Sequence, residues 1–132
     1  MLDDLAGWVA EETALDLTIG RTLFLGRMPD TPDRCVALYA TVGAPPGEHF
    51  GHAAGADVEQ PGVRMHVRHV AFDAGATLAH NVWHRLSDVT NEVLGGWRYL
   101  DCAPIQSPFP YERDDRGRTG WMSTFAIKRQ AV

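Results

Sequence analysis

The 132-residue chain has only two cysteines, no long hydrophobic run and no excess of positive charge. Each shortage removes a class of function. Cys35 and Cys102 lie far apart, each inside an apolar, strand-like run. They read as small core residues with free thiols, although spacing alone does not decide whether they pair. A net charge of -5 and a pI near 5.6 leave no basic face of the kind that counterion release requires of a dedicated nucleic-acid binder. A mildly negative surface is still compatible with lining a passage for DNA. The apolar runs are far too short to span a bilayer. Asp3 and Asp4 stand where a signal peptide would carry positive charge. The expectation is a soluble protein made in the cytoplasm.

Catalytic patterns are equally scarce. Ser87, Ser107 and Ser123 have no nucleophile-elbow context. Both cysteines have neighbours that would raise a thiol pKa rather than lower it. Gly43, Gly47, Gly51 and Gly55 are not followed by Gly-Lys-Ser/Thr, so they form no phosphate-binding loop. The six histidines invite a metal reading. His80 and His84 are four apart and share a helix face, a spacing able to chelate zinc. Asn81, however, stands where a metalloprotease-type motif would place its glutamate. His66 and His69 are three apart on a strand and point to opposite faces. His49 and His52 lie in a glycine-rich loop beside Glu48. The expectation is no cofactor, no metal and no enzyme; a small metal-dependent hydrolase using His80 and His84 is the alternative.

What is present is architectural. Leu2, Leu5, Ala6, Val9 and Ala10 recur at helical spacing, predicting a helix over about 2–14 with Asp3 and Asp4 favoured by its dipole. Strands follow at 22–27 and 34–42, separated by the proline loop Met28–Asp33. Alternation of Val63, Met65 and Val67 with Arg64, His66 and Arg68 predicts a strand with one polar face. Asp73 reads as the N-cap of a helix over about 74–94, buried along Leu78, Val82, Leu86, Val89 and Val93, with Ala79 and Trp83 widening the stripe. Gly95 and Gly96 would stop it. A strand over 97–105 ends at prolines. A final strand alternates Trp121, Ser123, Phe125 and Ile127 with Met122, Thr124, Ala126 and Lys128. At this length the chain is one domain, 1–132. The fold class is α+β, a mainly antiparallel or mixed sheet of about five strands flanked by two helices.

Two segments stand outside this pattern. Residues 43–62 carry five glycines and three prolines in twenty positions and read as a long loop. Two readings fit it: a floppy surface excursion, or an arm that orders only against a partner. Glu112–Arg118 holds three acids and three bases in seven residues, with Gly117 supplying the positive φ of a tight turn. It is either a solvated hairpin tip or a subunit contact.

Taken in order, these pieces resemble the minor capsid or tail-terminator-like proteins of long-tailed bacteriophages. The matching residues are Leu23–Asp33, Val36–Gly47, Pro61–Arg68, the helix after Asp73, and Pro108–Arg118 with the last strand. The resemblance implies a non-enzymatic virion protein, found at the head-proximal end of the tail and in the host cytoplasm during assembly. It implies a homo-oligomeric ring, commonly of six copies, that ends tube polymerisation. Its partners would be the major tail tube protein and a head-completion or stopper protein, with genomic DNA passing through unbound and no membrane involved. Another head–tail connector, a stopper or adaptor, is the nearest alternative. Pro46, Gly47, His49, Phe50, Asp114, Asp115, Arg116 and Arg118 are the candidate assembly contacts.

Overall fold

The period-two strands and the two amphipathic helices meet across one apolar layer. The computed structural model describes residues 1–47 and 58–132. Helix α1 (Leu2–Glu11) leads through a 3-10 turn (Thr13–Leu15) to β1 (Leu23–Leu25), β2 (Cys35–Gly47) and β3 (Val58–His69). Helix α2 (Phe72–Ser87) follows, then β4 (Glu92–Leu94), β5 (Trp97–Pro104), β6 (Phe109–Arg113) and β7 (Thr119–Ala131). The strands form one mixed sheet in the order β1-β2-β3-β7-β5-β4, with β6 also paired to β7. Among the described strands β1–β2 is parallel and the other pairings are antiparallel. The α+β expectation holds, with seven strands among the described residues rather than about five.

The core lies where alternation placed it. Val36, Leu38, Val63, Met65, Val67, Phe125 and Ile127 are buried, together with Leu5, Ala6 and Val9 of α1 and Leu78, Ala79, Val82 and Leu86 of α2. Each large side chain buried this way contributes roughly 1.5–3 kcal/mol of transfer free energy. The helices are clamped to each other. Trp8 Nε1 donates to the Arg85 carbonyl at 2.8 Å, Arg85 Nε donates to the Trp8 carbonyl at 2.9 Å, and the guanidinium lies 3.8 Å from the Trp8 ring centroid.

Several sequence expectations are corrected. Residues 43–47 and 58–62 are paired strand, not loop: Ala44 pairs with Gln60 and Gly47 with Val58, across two register shifts. Glycine permits this because a Cβ at Gly43 would collide with the Gln60 carbonyl, and one at Gly62 with Thr41. The central part of that predicted loop, with His49 and Phe50, lies outside the described residues.

Helix α1 stops at Glu11 rather than 14, and α2 at Ser87 rather than 94. Asp73 sits in the first turn of α2, and the cap position is Ala71, which makes no side-chain cap. Val89 is still buried, but Val93 is 48% exposed on β4, which the helical pattern concealed. Gly95 and Gly96, both at positive φ, turn β4 into β5 instead of ending a helix.

The other overlooked strand, β6, contains Pro110, which a strand with β7 on one side only can tolerate. Strands β5 and β6 run end to end along β7, interrupted at Ile105–Pro108. The Gln106 carbonyl secures that break, accepting Ser123 Oγ at 2.6 Å and Trp83 Nε1 at 3.1 Å.

Candidate assembly surface

Helices cover one face of the sheet, so the alternate residues face the other side. Tyr39 of β2, Arg64, His66 and Arg68 of β3, Gly120 of β7 and Tyr111 of β6 meet on this helix-free face. Because Gly120 has no side chain, the Tyr111 ring lies directly over it; a Cβ there would sit 2.9 Å from the ring. Tyr111 then reaches His66, with its hydroxyl 2.9 Å from Nδ1. Tyr39 packs edge-on against the other side of the same imidazole, centroids 4.9 Å apart. Burial, and secondarily the Arg64 charge, lowers the His66 pKa to about 4. The imidazole is therefore neutral near pH 7.

The row overlies a pocket of about 250 Å³ lined by Met28, Arg68, Glu112, Asp114 and Arg118 among others. Arg68 and Arg118 are 8% and 4% exposed. Both bind the Met28–Asp33 loop. Arg68 Nη2 donates to the Pro29 and Pro32 carbonyls, both at 2.7 Å. Arg118 donates to the Asp30 carbonyl at 2.6 Å and Asp114 Oδ2 at 2.7 Å, with Asp33 Oδ1 at 3.2 Å. Asp114 Oδ1 also accepts the Arg116 and Arg118 backbone N–H groups. These bonds hold the Asp114 carboxyl below its usual range, the Arg118 backbone N–H being the largest cause.

Among the charged candidates, Asp114, Arg116 and Arg118 all bond within the chain. Arg116 pairs with Asp30 at 2.8 Å while remaining 54% exposed, and Asp115 is exposed. Pro46 and Gly47 end β2 on the long arm made with β3, far along the strands from the charged turn. His80 Nδ1 lies 2.9 Å from the Ala76 carbonyl, and the His84 ring packs edge-on against Trp83. Among the described residues no three His, Cys, Asp or Glu side chains group as a metal site. Cys35 and Cys102 are buried free thiols, as expected.

Sequence reasoning missed Asp30, Asp33 and Arg68 as partners of the proline loop and turn. It also missed the Tyr39–His66–Tyr111 row. The only sequence signal was indirect: a polar strand face with two arginines and a histidine that no neighbouring residue satisfies.

No curated protein matches this sequence. A chain described as "Virion of native gene transfer agent (GTA) particle" shares the fold, with a TM-score of 0.68 at 12% identity over 99% of this chain and 95% of the other. The model of the family described as "Bacteriophage tail terminator protein" matches residues 12–131. The resemblance read from the ordered strands, proline loop and closing turn is thus borne out, and the chain belongs to the bacteriophage tail terminator protein family.

Proposed function

We propose that this protein ends the tail tube of a long-tailed phage by closing into a ring at its head-proximal end. Membership of the tail terminator family carries the reading. Copies joined head to tail through a heterologous interface form a closed ring when the rotation closes. One ring face complements the last tube ring, and the other refuses further tube subunits while offering a surface to a head-completion protein. Genomic DNA passes through without specific contacts, consistent with a net charge of -5. The single domain 1–132 acts by shape and contact, not catalysis. It works in the virion after assembly in the host cytoplasm. Pro46, Gly47, His49 and Phe50 on the arm, and Asp114, Asp115, Arg116 and Arg118 at the charged turn, are the proposed assembly contacts.

Electron microscopy of the major tail protein polymerising with and without this chain tests the proposal. Tubes that stop growing and carry added density at one end are expected. Unchanged tube growth, with binding only to the head-completion protein, would instead identify a stopper or adaptor.

A further inference from the structure

Strand β2 has thirteen residues, but β1 covers only Val36–Leu38 of its outer edge. Backbone hydrogen bonds fix which groups face outward. Val36 N–H donates to the Thr22 carbonyl, and the Leu38 carbonyl accepts Gly26 N–H, both at 2.8 Å. By that alternation Ala40 turns its N–H and C=O outward just where β1 has ended. The stretch Tyr39-Ala-Thr-Val-Gly-Ala44, which no described strand covers on that side, carries no charge, and Val42 is 99% exposed. Natural sheets usually blunt such an edge with charge, proline or a covering segment, because it templates pairing with another chain. Here the first blunting residues are Pro45 and Pro46.

A second uncovered edge lies on the other side of the sheet. Among the described residues, strand β6 pairs only with β7, and all five of its residues are exposed. The successive antiparallel pairings β2–β3, β3–β7 and β7–β6 make β6 run opposite to β2. In a head-to-tail arrangement, β6 of one copy therefore meets β2 of the next antiparallel, the pairing with the slightly stronger ladder.

Charge points to the same occupant. Exposed Arg64, beside Tyr39 on the helix-free face, has no carboxylate partner among the described residues. Glu112 of β6 shares that face; its carboxylate bonds with the Tyr111 side chain and has no basic partner among the described residues. Its neighbour Arg113 points back to within reach of Gly117.

We infer that the outer edge of β2 at Ala40–Ala44 is the docking strand for β6 of a second copy of this chain, with Arg64 facing Glu112 across the joint. This rests on the ring reading above.

The test is native mass spectrometry of the full chain over a concentration series, alone and with tail tubes. Four variants are compared with the wild type: Ala40→Pro, the single reversals Arg64→Glu and Glu112→Arg, and the double reversal. Ala40→Pro removes an outward N–H that the β2–β3 ladder does not use. It and each single reversal are expected to raise the midpoint of assembly at least tenfold with unchanged circular dichroism. The double reversal should restore it. Assembly that ignores Ala40→Pro, or reversals without rescue, overturns the edge assignment while the ring stands. Wild-type protein that stays monomeric even on tubes overturns the ring and the edge together.

Discussion

Arg118 donates to the Asp30 carbonyl at 2.6 Å across 88 residues of chain. This one side chain joins the proline loop to the closing hairpin turn. A guanidinium suits the role because its fixed fork of donors satisfies several acceptors at once. Here it serves a backbone carbonyl and the carboxylates of Asp30, Asp33 and Asp114.

The two arginines of the turn should therefore separate in an unfolding experiment. Arg116→Ala breaks one exposed pair and is expected to change stability by less than about 1 kcal/mol. Arg118→Ala leaves the Asp114 side chain and the proline loop without their shared donor and should destabilise far more. Urea denaturation measures both; equal midpoints would disprove the assigned division.

Acid should weaken the native state before the carboxylates titrate. The folded His66 pKa, about 4, lies below its unfolded value near 6.5. In that window the unfolded chain binds the proton and the folded one does not. The contribution is thus complete above pH 6.5 and lost progressively as pH falls toward 4. His69 is shifted in the same direction, mainly by burial, and adds to the slope. The denaturant midpoint is expected to fall between pH 7 and pH 4.5, and less steeply in His66→Phe. An identical slope in that variant would show that His66 is not responsible.

Gly75→Ala tests packing against propensity. Alanine gains about 1 kcal/mol over glycine within a helix. At Gly75, however, the new Cβ would lie 2.9 Å from His69 Cβ and 3.0 Å from Trp121 Nε1. Overpacking of this kind typically costs about 1–3 kcal/mol. Net destabilisation is expected, and a raised thermal midpoint would contradict it.

Thiol chemistry offers a simple check of the core. Burial, with the Asp101 charge adding to it, pushes the Cys102 pKa up to about 12; burial raises that of Cys35 as well. Neither thiol should react with a disulfide reagent at pH 8 in the native protein, and both should react in urea. Rapid labelling of folded protein would mean that one of these strands opens readily.

Local periodicity served where one face of an element packs against the core. Strands β3 and β7 alternate cleanly because the helices cover only one face. The ends of elements were harder to read. Val89 is apolar and correctly spaced for α2, yet it is buried by a chain that has already left the helix. Strand β6 was hidden because Pro110 signals a break in isolation and is tolerable only beside a single neighbour. The glycines and prolines of 43–62 suggested loop, whereas close approach between paired strands is what Gly43 and Gly62 provide.

The sequence by itself determined the α+β class, the buried faces of the strands and both helices, and the family. These depend on spacing and order along the chain, which local sterics and burial translate directly into structure. Only the tertiary structure decided that Arg118 ties the turn to Asp30 and Asp33, that His66 sits between two tyrosines, and that no described strand covers the outer edges of β2 beyond Leu38 and of β6. Those relationships join residues tens of positions apart, and strand order, which no local pattern encodes, brings them together.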